Sequence, residues 1–238
     1  MDPRQHSLVL LATVARHLGE IGTEVVYLGG ATTCLFLTDP ASGVVRVTRD
    51  VDVVVEVVST IDYQVRLRNA LIARGFQEDT EEGAPVCRWV IAGVKVDIMP
   101  PDPSILGFTN RWYPDALKNF AVVELPSGET IKRVAPPYFL GTKLEAFHGR
   151  GNGDFQASAD LEDIVTVVDG RAELVEEVRQ APADLREYLH SRLSSMLEDR
   201  RFLESLPGHL QPDLGSQGRL PLVRARLEAI AAGRSSKK

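Results

Sequence analysis

The chain has 238 residues, a formal net charge of −6 and a pI of about 5.5, a balance that argues against a surface built to bind extended nucleic-acid duplex. Apolar residues make up 44% and charged residues 25%, which excludes global disorder and gives enough apolar material for a substantial core. No apolar run approaches the ~20 residues of a membrane helix, and Met1 to His6 lack a basic leader, so a cytoplasmic protein with no membrane partner is the expectation.

In chain order, Gln5 to Gly19 reads as an amphipathic helix whose apolar face is Leu8, Leu11, Ala12, Ala15 and Leu18. Glu24 to Leu28 is a short strand, and Ala31 to Leu37 a short helix stopped by Asp39-Pro40. Cys34 lies in that helix and Cys87 far from it; with no Cys-x-x-Cys or Cys/His cluster, a zinc site is not expected and packed thiols are. Val51 to Val58 is almost wholly apolar, as in a strand covered on both faces, apart from Asp52 and a Glu56 assigned to structure. Ile61 to Arg74 is a helix closed by Gly75, and Glu78 to Gly83 an acidic turn. Val86 to Ile91 and Val94 to Met99 form a hairpin across Ala92-Gly93, with Trp89 assigned to packing like Trp112 and Tyr113. A short helix near Pro114 to Lys118, a strand at Ala121 to Leu125 and a Ser127-Gly128 turn follow. From Pro136 the pattern is helical: Pro136 to Gly149, Ser158 to Asp169, Ala172 to Gln180, Ala183 to Leu206 and Leu220 to Ala232.

The expected fold class is α+β, a mixed sheet flanked by helices with a helical C-terminal lobe. The expected domains are a catalytic unit over 1–133, a helical lobe over 134–233 and a loose basic tail over 234–238. The segment from Gly149 to Gly153, with Asn152, reads as a flexible or ligand-facing loop. Basic clusters at Arg66/Arg68, Lys132-Arg133 and Arg234 to Lys238 could dock a compact RNA end.

The chemistry concentrates in three places. Gly29-Gly30 lies between an apolar strand and a helix start, where a phosphate can approach backbone N–H groups because no Cβ intervenes. Asp50 and Asp52 lie two apart on the next strand and so share a face, and Asp97 sits in another strand-like run. Hard oxygen ligands on one face suit Mg²⁺ together with substrate phosphates. Taken singly, each is equally an ordinary turn or strand-edge residue; taken together they describe nucleotidyl transfer, because three carboxylates in apolar strands are otherwise costly.

In that order and context, Gly29-Gly30, Asp50-Val51-Asp52 and Asp97 resemble the polymerase-β-like nucleotidyltransferase superfamily. The Thr48-Arg49-Asp50-Val51-Asp52 form, together with Lys143 and Asp160-Leu161-Glu162-Asp163-Ile164, resembles the AbiEii/MenT-like toxin branch. The resemblance spans roughly residues 20 to 170 and implies a mixed sheet flanked by helices, an NTP substrate and two Mg²⁺ ions, with Mn²⁺ as a substitute. It implies Asp50, Asp52 and Asp97 as metal-binding catalytic residues, and Gly29, Gly30, Thr32, Thr33 and Arg49 as nucleotide-binding. Lys143 is implied at the triphosphate and Asp160 as a further acidic catalytic residue. On the residues alone, Lys143 can equally be a snorkelling lysine, Asp160 a helix cap in competition with Ser158, and Arg49 an ion-pair partner behind the site. His148 and Arg150 can meet nucleotide or simply end a helix. The implied partners are NTP, the 3′ end of tRNA and a cognate antitoxin. The alternatives are transfer to a small molecule such as an aminoglycoside or to a protein hydroxyl, and a non-catalytic nucleotide-binding regulatory module.

Overall fold

Seven strands form one mixed sheet in the order β3-β4-β5-β2-β1-β7-β6 in the computed structural model, which describes residues 1–150 and 153–233. The strands are β1 (Val25–Leu28), β2 (Asp50–Val55), β3 (Gln77–Glu78), β4 (Arg88–Ile91), β5 (Val94–Met99), β6 (Phe120–Glu124) and β7 (Thr130–Val134). Only β2 with β5 and β1 with β7 run parallel; the other neighbours are antiparallel. The chain divides into two compact units, Met1–Cys34 with Val47–Ala135, and Leu35–Arg46 with Pro136–Lys238. Residues 151 and 152 of the expected ligand-facing loop, and the expected basic tail over 234–238, lie outside the described residues.

The first unit contains the sheet. Helix α1 (Pro3–Leu18) starts with proline in its first turn, where no N–H partner is lost, and ends at Gly19 with φ 51°. Its Leu10, Leu11, Val14 and Leu18 are buried. All four residues of β1 are buried, and so are Val51 and Val53 to Val55 of β2, as a central strand requires. The β4–β5 hairpin turns on Ala92 and Gly93, both at positive φ (48° and 78°), the combination whose twist suits a two-residue connection. Between β2 and β3 the chain makes a π-helical stretch, Asp62–Leu67, that continues into α2 (Arg68–Ala73). The short helices α3 (Pro103–Leu106) and α4 (Tyr113–Ala116) follow β5.

The second unit is helical: α5 (Pro136–Arg150), α6 (Ala159–Gly170), α7 (Leu174–Gln180), α8 (Ala183–Glu198), α9 (Arg200–Ser205), α10 (Leu214–Gln217) and α11 (Leu220–Ala231). Leu140, Leu144, Leu161, Val165, Leu185, Leu189 and Leu227 are fully enclosed in it. The segment 35–46 is bound into these helices. The N–H groups of Thr38 and Asp39 both donate to the Gly170 carbonyl, at 2.8 and 2.9 Å. The Phe36 ring lies 4.6 Å from that of Phe139, and Arg219 bridges Asp39 and Asp169.

Several elements differ from the sequence expectation for identifiable reasons. The helix expected after the glycine pair is a six-residue 3-10 turn, Gly30–Leu35. The expected helix from 183 to 206 breaks at Asp199, whose extended backbone (φ −85°, ψ 115°) and side chain, accepting from the Arg201 N–H, start a new helix. Strand β7 escapes the sequence pattern because Lys132 and Arg133 interrupt its apolar run, yet Ile131, Arg133 and Val134 are all buried. Among the described residues, no helix is long and apolar enough to cross a membrane.

Candidate active site

The alternation of β2 places Asp50 and Asp52 on one face, half-buried, while Val51 and Val53 point into the opposite layer. Strand register then extends the cluster sideways. Asp52 lies opposite Asp97 on β5 and opposite Leu28 on β1, and Asp97 lies opposite Arg88 on β4. Arg88, Asp97, Asp52 and Leu28 therefore form a row across four strands, with Asp50 and Lys95 paired two residues along. The structure thus brings Asp50, Asp52 and Asp97 together.

Gly29 closes the row. Its φ of 74° lies in the left-handed region, and a Cβ built on it would run into the Asp52 carboxylate. The glycine turn and the Asp-x-Asp strand are thus packed directly on one another. The Thr32 hydroxyl donates back to the Gly29 carbonyl at 2.9 Å, which fixes the turn and commits that proton. Thr33 is fully enclosed, and its hydroxyl finds no partner among the described residues. The Thr48 hydroxyl donates to Asp50 Oδ1 at 3.1 Å and orients that carboxylate, while the His6 ring meets the Thr48 carbonyl at 3.1 Å. Arg49 is exposed, and no ion pair is found for it among the described residues.

The sequence reading missed Arg88. Its Nε and Nη2 donate to the two oxygens of Asp97 at 2.7 and 2.8 Å, and Nη2 lies 3.5 Å from Asp50 Oδ2. A two-nitrogen fork on a carboxylate is the strong form of this interaction, and the hydrogen bond to Asp97 raises the already high pKa of the guanidinium. The residue could have been found by counting, because a two-residue turn at Ala92-Gly93 sets position 88 opposite 97. This arrangement bears on the expected metal. Among the described residues, no three His, Cys, Asp or Glu side chains converge into a group able to hold a metal ion. Asp50 and Asp52 share one face, Asp50 is met by Thr48 and, at 3.5 Å, by Arg88, and Asp97 takes the two-nitrogen fork of Arg88. The three carboxylates, as folded, do not fit a two-ion centre.

Lys143 and Asp160 lie in the helical unit, where they meet each other. Lys143 Nζ is 3.0 Å from Asp160 and 2.6 Å from Asp163, and Arg46 donates to both oxygens of Asp163 at 2.8 and 2.9 Å. Side chains of Lys143 and Asp163 are only 7% and 1% exposed, so this is a buried ion network. Burial alone would raise the Asp163 carboxyl, but Lys143 and Arg46 outweigh it and hold it below the ordinary carboxylate value. Asp160 is not the helix cap: Ser158 takes that role, accepting from the Leu161 N–H at 3.3 Å. Asp163 and Arg46 were not anticipated either. The spacing Asp160-x-x-Asp163, which sets both carboxylates on one helix face, is the signal for Asp163 in the sequence.

Trp89 and Trp112 are buried. His148 is exposed beside Phe147, and its pKa is lowered by desolvation and by Arg192. Of the basic clusters, Arg66 pairs with Glu24 and Asp62, Arg68 with Glu78, and Lys132 lies over the Phe120 ring.

No protein-family model and no curated protein sequence matches the chain. Among solved structures, a candidate nucleotidyltransferase from Helicobacter pylori is similar to it, with a TM-score of 0.51 and 12% identity over 98% of this chain and 96% of that one. An antigenic nucleotidyltransferase-like protein from Paracoccidioides brasiliensis gives a TM-score of 0.49 at 18% identity, over 85% of this chain and 92% of that one. JHP933 from Helicobacter pylori gives 0.49 at 12% identity, over 98% and 93%. The first of these likenesses is one of fold: a mixed sheet flanked by helices, followed by a helical region.

Proposed function

We propose that the chain is a nucleotidyltransferase that moves a nucleoside monophosphate from an NTP to an acceptor hydroxyl. The observation that carries this reading is the packing of Gly29 against the Asp52 carboxylate, with Asp50 on the same face and Asp97 on the neighbouring strand. The glycine turn and the carboxylates are held together by backbone geometry, not by chance proximity of loops. In the reaction, the acceptor hydroxyl oxygen attacks the α-phosphorus, the bond from that phosphorus to the bridging oxygen breaks so that pyrophosphate leaves, and the hydroxyl proton passes to water. In this reading the phosphates lie at the Gly29-Gly30 turn, whose buried backbone and Thr33 hydroxyl must be uncovered to meet them. Mg²⁺, or Mn²⁺ in its place, belongs to the proposal as the cation such a triphosphate carries, with Asp50 and Asp52 the residues to hold it.

The finer reading is an AbiEii/MenT-like toxin enzyme that acts on the 3′ end of tRNA and is restrained by a cognate antitoxin. Lys143 at the triphosphate, with Asp160 as its acidic partner, and Arg49 at the nucleotide belong to this reading. One observation favours a second acceptor class, a small molecule. Arg66, Arg68 and Lys132 are already engaged by neighbouring groups, which leaves less basic surface for an RNA backbone than the sequence suggested. Each α-³²P-labelled NTP, incubated with the protein, Mg²⁺ and total tRNA, decides between these acceptors. Label on tRNA supports the toxin reading and names the base; label that appears only with small acceptors overturns it.

A further inference from the structure

We propose that Arg88 is the resident counter-cation of Asp97, and that it keeps this carboxylate out of the coordination of any divalent ion held by Asp50 and Asp52. The inference rests on the nucleotidyl-transfer reading and deepens it, because it assigns one of the three expected metal ligands to the protein's own cation. Three features of the structure carry it. Both oxygens of Asp97 are taken, at 2.7 and 2.8 Å, by two nitrogens of one planar group. The pair is set by strand register across the Ala92-Gly93 hairpin and not by a mobile surface side chain, since Arg88 and Asp97 face each other on β4 and β5. It is also shielded, with side-chain exposures of 20% and 12%, so water competes weakly for the contact.

The position of the guanidinium completes the argument. Its Nη2 also stands 3.5 Å from Asp50 Oδ2, so one positive charge sits among carboxylates whose mutual repulsion a divalent ion would otherwise relieve. A guanidinium does not lose its proton in the working pH range, so the clamp is not released by pH. An ion that recruits Asp97 must compete with the Arg88 fork for an oxygen of this carboxylate.

The test is Mn²⁺ binding, followed by electron paramagnetic resonance without nucleotide, in wild type, Arg88→Gln and Arg88→Gln/Asp97→Asn. Removing the competing charge and freeing Asp97 should tighten Mn²⁺ binding at least about tenfold, and the added Asp97→Asn should abolish that gain. A change of less than twofold in Arg88→Gln overturns the proposal, and so does a gain that survives the loss of Asp97. Thermal melting of each variant reports folding. Should Arg88→Gln fail to fold, Arg88→Lys, which keeps the charge and loses the fork, is expected to gain about threefold, and no gain overturns the proposal. Label transfer by the wild type is scored separately. Its absence beside the expected Mn²⁺ result overturns the functional reading alone, whereas transfer without the Mn²⁺ gain overturns the role of Arg88 alone.

Discussion

Replacing Asp163 by alanine removes the anion that Lys143 and Arg46 share inside the helical unit. Deleting one partner of a buried ion pair costs about 3–5 kcal/mol, because the charge left behind has lost both water and partner. Here Lys143 keeps Asp160 at 3.0 Å, and the Arg46 side chain is 21% exposed, so both cations retain some relief. The lower end of the range, about 3 kcal/mol, is therefore expected. For a chain of this size each kcal/mol moves the melting point by about 2–4 °C, which gives a fall of about 6–12 °C. The assay is thermal unfolding followed by ellipticity at 222 nm, with urea unfolding as a check on the helical unit. Adding Arg46→Met to Asp163→Ala should restore part of the loss, since it removes a cation that no longer has an anion. A fall of less than about 2 °C for Asp163→Ala would refute the idea that this network stabilises the unit.

Gly29→Ala should cost about 1–2 kcal/mol for the left-handed backbone alone, and its Cβ should also displace the Asp52 carboxylate, so urea midpoint and nucleotide transfer should fall together. Stability of the wild type should decline in acid. The Asp163 carboxyl titrates lower folded than unfolded, so its contribution is complete above the unfolded value of about 4 and is lost as pH falls through the lowered folded value. Asp163→Asn should flatten that acid limb, as read by urea midpoints between about pH 2 and 5. Burial pushes the Cys34 thiol up to about 11 and the Cys87 thiol up to about 12. A thiol reagent at pH 8 should therefore label both rapidly only in denaturant; fast labelling of the native protein would contradict their burial.

The sheet's central strands and the acidic face were legible in the sequence because they obey short-range rules. Val51, Val53, Val54 and Val55 interrupted by Asp50 and Asp52 can only be a strand with one polar spot, and the Ala92-Gly93 pair announces its hairpin. What the pattern could not show were partners set by tertiary pairing. Strand β7 carries Lys132 and Arg133 and owes its place to pairing with β1 and β6. Arg88 reads as an ordinary strand-start cation until the register of β4 on β5 places it on Asp97. Asp163 and Arg46 lie far apart in sequence and meet only because the segment 35–46 packs into the helical unit. The end of α8 at Asp199 shows the converse: a single capping aspartate overrides a long apolar period that continues beyond it.

Transfer chemistry at Asp52 is tested most directly by incorporation of α-³²P-labelled NTP by wild type and Asp52→Ala, with matched melting curves. Wild type should place label on an acceptor, with a loss of at least about a hundredfold in the variant, which remains folded because Asp52 is half-buried on a polar face. Equal incorporation by both proteins would contradict transfer at Asp52.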